Sequence, residues 1–254
     1  MENENEKLNE AERLLSKIVA DPRIIPGIHN YCDRWCERCT HTVHCSVYHM
    51  EQQMDTTSDA DSNDIENQKF WEQLSLMFKL TAKLLYDKMK EHGIDPDSIS
   101  NEEVKVELDP DPVNQKAVVL SREYTMSVGQ WVKERSEVFL AKHETLMNIG
   151  GEKATAIADA MDVVQYYFMM VSTKTYRAFL PVDDDEEPTD ALGSAKIAII
   201  LIERSTAAWV RIMEMFPEFE DDILGFLKQL SVVKRLILEH LPAAMEFKRP
   251  GFDE

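Results

Sequence analysis

From Gln68 to Leu241 the apolar residues fall three and four positions apart in five long runs, with few residues between them that can turn the chain. That spacing is the period of an α-helix, and runs of this length exceed what a strand uses. Glycine (8) and proline (10) are scarce in a chain of 254 residues. A β-sandwich or barrel lacks the turns it would need. An all-α fold is expected.

The runs predict helices over 68–92, 121–147, 152–180, 191–216 and 218–241. In the first, Phe70, Leu74, Met77, Phe78, Leu80 and Leu84 form the expected core stripe, and Gly93 ends it. Ser121 is the expected N-cap of the second, and Ile149-Gly150-Gly151 its break from the third. The run from Ala191 to Phe216 is apolar around most of its circumference, so it is expected at the centre. Glu218, Glu220, Asp221 and Asp222 suit the positive end of the last helix dipole. A shorter amphipathic helix is expected over 7–20, stopped by Pro22 and Pro26-Gly27. Residues 94–113 read as a connection, 181–190 as an acidic loop and the last residues as an extended tail. The domain reading is N-terminal helices with a four-cysteine metal site over 1–54, an acidic linker over 55–67 and a helical bundle with acidic loops over 68–254.

All four cysteines lie between Cys32 and Cys45, spaced C-x3-C-x2-C-x5-C, in a stretch from Ile28 to Met54 without glycine or proline. That lack of breakers predicts helix, with a turn near Thr40 to Val43. On a helix Cys32, Cys36 and Cys39 stand at i, i+4 and i+7, on one face, and Cys45 returns to close a site. Clustered cysteines in a reducing compartment point to metal ligation before disulfides. Seven helical residues rise about 10 Å, a span that favours a 4Fe–4S iron–sulfur cluster over a single zinc ion, which stays the alternative. His29, His41, His44 and His49 lie close by, so a histidine replacing one cysteine stays open. Ordinary reduced core cysteines and a Cys36–Cys39 redox pair are the competing readings.

The stretch Cys36-Glu-Arg-Cys39-Thr-His-Thr-Val-His-Cys45 is similar to the last three ligands of the 4Fe–4S loop in endonuclease III-like DNA glycosylases and in cluster-bearing nucleases of CRISPR and recombination systems. It covers about ten residues and implies a cluster, not DNA chemistry, because the glycosylase hairpin and the nuclease sheet are missing. The triplet Cys32, Cys36, Cys39 also resembles the radical-SAM signature, although Cys45 stands ready to fill the open iron. As a whole the chain resembles a bacterial family of helical proteins with an N-terminal segment of the NYCDxWCExC type.

The rest of the sequence mostly excludes. A formal charge of −19 opposes a polyphosphate backbone, so nucleic acid is not an expected partner. The acidic start has no secretory pattern, and Lys196, Glu203 and Arg204 interrupt the most apolar run short of a membrane span. A cytoplasmic location is expected. No Glu-x-x-His occurs, which removes the ferritin-like di-iron pattern, and no phosphate loop or nucleophile elbow appears. Asp159 and Asp162 read as a solvated stripe, Glu203 and Arg204 with Arg211 and Glu214 as the exposed edge of the central helix, and Tyr166 to Met170 as core. The expected function is metal binding by a four-cysteine site of Cys32, Cys36, Cys39 and Cys45, structural or for electron transfer. A site with no open position disfavours catalysis at the metal. The alternative is a zinc-stapled adaptor whose acidic bundle binds a protein partner.

Overall fold

A computed structural model describes residues 2–55, 67–95, 112–181 and 189–253. Seven α-helices follow in order among the described residues: α1 (Glu2–Val19), α2 (Ser46–Asp55), α3 (Gln68–Glu91), α4 (Lys116–Gly150), α5 (Glu152–Ala178), α6 (Thr189–Met215) and α7 (Glu220–His240). No strand occurs among the described residues, and no helix among them is long and apolar enough to cross a membrane. The expected linker over 55–67, apart from its ends, lies outside the described residues, as do Asp183 to Glu187 and most of 94–113.

The chain divides into two compact units. One comprises Met1–Asn30 and Arg34–Glu107, and the other Tyr31–Asp33 and Leu108–Glu254. In the first unit α1 packs on α2 and α3, Ile18, Ile28 and Leu80 are buried, and Lys83 forms an ion pair with Glu12. Phe78 departs from the expected stripe: it is 67% exposed and shares an outward line with Trp71 and Leu85. At 3.6 residues per turn, that line lies about 100° to 120° from Met77 and Leu84 and about 40° from Leu74.

The second unit is a four-helix bundle. Of the five long helices expected from residue 68 onward, α4 to α7 pack on one another there, and α3 packs on α1 in the first unit. Helix α6 is the central one, as its composition implies: Ala195, Ile197, Ala198, Ile199, Leu201 and Ile202 are buried on successive sides. One end of the bundle is aromatic. Trp131 meets Trp209 edge-on at 5.2 Å, and Phe139 meets Phe216 at 4.5 Å. The Trp209 indole N–H donates to the Tyr124 hydroxyl at 3.0 Å, and burial pushes the Tyr124 phenol up to about 12. Asp222, in the first turn of α7, accepts from Trp131 Nε1 at 2.9 Å and from Arg135 at 3.2 Å. Gly151 separates α4 from α5 where the glycine pair suggested. Ser121 is no N-cap. Helix α4 begins at Lys116, and the buried Ser121 hydroxyl donates to the Val118 carbonyl at 2.9 Å.

Candidate metal centre

The cysteine segment is built of turns, contrary to the helix expected there. Cys36 opens a 3₁₀ turn (Cys36–Arg38), Cys39 follows it in extended conformation, and Cys45 follows a second turn (Thr42–His44) just before α2. Absence of glycine and proline misled because strong helix formers are few there, Arg34, Glu37 and Arg38 alone. From His29 to Cys45 there is no Ala, Leu, Met, Lys or Gln, and Cys39 to Cys45 consists of Cys, Thr, His and Val, all weak in helices. Arg34, with φ of 58°, is left-handed and also cannot continue a helix. The i, i+4, i+7 face and its 10 Å rise therefore do not exist, and the geometric preference for a cluster over zinc goes with them.

Local hydrogen bonds hold the turns. The Cys39 N–H donates to the Cys36 carbonyl at 3.1 Å and the Cys45 N–H to the Thr42 carbonyl at 3.2 Å. Two further N–H groups point at sulfur: His41 N–H to Cys39 Sγ at 3.4 Å, and Tyr48 N–H to Cys45 Sγ at 3.5 Å. The second turn is fastened to 23–25, where the Ile25 N–H donates to the His44 carbonyl at 3.1 Å. His44 Nδ1 bonds the Arg23 carbonyl at 2.8 Å and His49 Nε2 the Val43 carbonyl at 3.2 Å. A carbonyl only accepts, so in each ring that nitrogen carries the proton. The Arg38 guanidinium lies 3.9 Å over the Trp35 ring. Burial, and then the charge of Arg34, hold His29 below its ordinary value.

All four cysteines are half-buried thiols with no disulfide among them. Among the described residues, no group of three or more His, Cys, Asp or Glu side chains is close enough to hold an ion. The structure thus sets Cys36, Cys39 and Cys45 on consecutive turns of the first unit without gathering three sulfurs at one point. Cys32 belongs to the second unit.

The residues around Cys32 form a cluster that sequence reasoning did not assemble. The Tyr31 ring meets Phe247 edge-on at 4.8 Å and lies against Gly193 of α6, where an added Cβ would stand 2.3 Å from two ring carbons. Asp33 accepts the Tyr167 hydroxyl at 2.8 Å. Arg204 Nη1 donates to the same hydroxyl oxygen at 2.8 Å and forms an ion pair with Asp33. Burial foremost, then the Asp33 charge, raises the Tyr167 phenol far above its ordinary value. Arg204 and Tyr167 were visible separately, as an edge charge and a core aromatic; their meeting at Asp33 spans more than a hundred residues of sequence. Glu203 keeps the edge role, pairing with Lys234 at 2.7 Å, and Asp159 and Asp162 are exposed. Lys196, which interrupts the apolar run, is buried beneath the tail, bonded to the Phe247 carbonyl and paired with Asp253 at 2.9 Å.

No family model, no curated protein and no solved structure matches the chain.

Proposed function

We propose that the protein binds a metal through the thiolates of Cys32, Cys36, Cys39 and Cys45, in a structural role. The observation that carries this reading is the pair of backbone N–H groups aimed at Cys39 Sγ and Cys45 Sγ, one from His41 between the two 3₁₀ turns and one from Tyr48 in the first turn of α2. A thiolate ligand keeps lone pairs outside the metal bond, and amide donors in the surrounding shell satisfy and orient them. Grouping every cysteine of the chain within 14 positions supplies the ligand number. Between the two metals, tight turns suit a single tetrahedral zinc, whose sulfurs converge at about 2.3 Å. An iron–sulfur cluster is the other occupant of the same ligand set, and four thiolates on either leave no open position for chemistry at the metal.

Because no three donors stand together among the described residues, ligation requires the turns to close around the ion. Binding is then coupled to ordering of the segment and to loss of the thiol protons. The test is elemental analysis and visible absorption on protein purified without oxygen. Colourless protein with one zinc, lost on combined Cys→Ser substitution, supports the zinc form, and brown protein with iron and sulfide supports the cluster form. Protein that takes up neither overturns the proposal.

A further inference from the structure

We propose that the outward face of α3 is a self-association surface, on which α3 of a second copy of this chain packs antiparallel. Trp71, Phe78 and Leu85 recur every seven residues along α3 and are 56%, 67% and 61% exposed. Ser75, Ala82 and Met89 interleave with them at the complementary spacing; the first two are exposed and the third is half-buried. At 100° per residue the six positions fall within an arc of about 80°, centred opposite the buried Leu80. None of the six is charged. This is the narrow seam of a paired helix, where knobs of one strand enter holes of the other.

The order of sizes along the seam identifies the occupant. A two-fold axis at residue 80 sets residues equally distant from it opposite one another. Phe78 then faces Ala82 of the second copy, Leu85 faces Ser75, and Trp71 faces Met89. Each rigid or bulky side chain meets a small or pliable one, as close packing of two helices requires. A surface that is its own complement closes as a two-fold dimer. The area is sufficient for a weak one. An aromatic side chain covers about 150–250 Å² when buried, so at these exposures each ring has about 80–170 Å² left to cover. Four rings in a pair contribute about 350–650 Å², and Leu85 with the smaller residues of both copies brings the total toward about 1,000 Å², the range of reversible complexes. Lys79 meets its own counterpart beside the axis, and both chains carry a charge of −19, so salt screening favours the pair.

The experiment is sedimentation equilibrium of the full-length protein with reductant present, from about 1 μM to 1 mM, at low and high salt. We expect a concentration-dependent dimer that tightens with salt. Phe78→Asp should leave only monomer. Phe78→Ala, which sets small against small, and Ala82→Phe, which sets large against large, should each weaken the dimer at least about tenfold. The double variant restores one ring per layer and should return to within about threefold of wild type. Far-ultraviolet circular dichroism checks folding, and both positions are exposed, so each variant keeps its helices. Protein that stays monomeric at every concentration, whether or not it binds vesicles of anionic phospholipid, overturns the proposal. So does a dimer that Phe78→Asp leaves intact, that salt weakens, or that the double variant fails to recover.

Discussion

Replacing Gly193 by alanine gives opposite signs in two backgrounds. At position 193 a Cβ would sit 2.3 Å from two carbons of the Tyr31 ring and 3.0 Å from a third, so the ring must retreat from 2.3 Å to at least 3.4 Å, a shift of about 1 Å. Such overpacking costs about 1–3 kcal/mol. Withdrawal of the ring also loosens its edge-on pairing with Phe247, worth about 0.5–1.5 kcal/mol. Against this, alanine inside a helix is favoured over glycine by about 1 kcal/mol. The balance is a destabilisation of about 0.5–3.5 kcal/mol in the wild-type background. With Tyr31 already changed to alanine the obstruction is gone, and Gly193→Ala should stabilise by about 1 kcal/mol. The assay is urea unfolding followed by the fluorescence of Trp131 and Trp209 of the bundle, with Trp35 and Trp71 of the first unit replaced by phenylalanine throughout and all four proteins fitted at a common slope. The expected coupling is about 1.5–4.5 kcal/mol. A stabilising Gly193→Ala in the wild-type background, or equal effects in both backgrounds, would show that Tyr31 does not occupy the α6 surface as described.

Two further outcomes follow from the bundle. Tyr124→Phe leaves the buried Trp209 indole N–H without its acceptor, which should cost about 1–3 kcal/mol of unfolding free energy in the same assay; no change would mean that the hydrogen bond is not formed. Arg249 and Lys196 hold the Asp253 carboxyl far below its ordinary value of 3.8. The folded-state value is the depressed one, so its contribution is present above pH 3.8 and is lost as the pH falls below that toward the folded value. Asp253→Asn should therefore lower stability at neutral pH and flatten its acid dependence below pH 4, read from melting temperatures across a pH series; an unchanged acid limb would refute this.

The helices were legible because each is long, strongly periodic and bounded by local signals, as at Gly151 and at the acidic first turn of α7. Residues whose role depends on remote partners were not. Phe78 fits the apolar period of α3 in sequence, yet only the position of α1 decides which apolar line faces inward. Ser121 has the chemistry of an N-cap, but α4 begins a turn earlier, where Pro112 to Asn114 form their own 3₁₀ turn. Lys196 and the tail residue Asp253 come together across the fold, a contact no local pattern encodes. At the cysteines the error had a single source: a segment without glycine or proline was read as helix, although its Cys, Thr, His and Val composition favours turns and extended backbone. The grouping of the thiols was plain in the sequence. Their geometry was not.

X-ray absorption at the metal edge of the purified protein tests the metal-binding account most directly. It should find a first shell made of sulfur alone at about 2.3 Å, four neighbours for zinc. A shell of oxygen and nitrogen, or no protein-bound metal to measure, contradicts it.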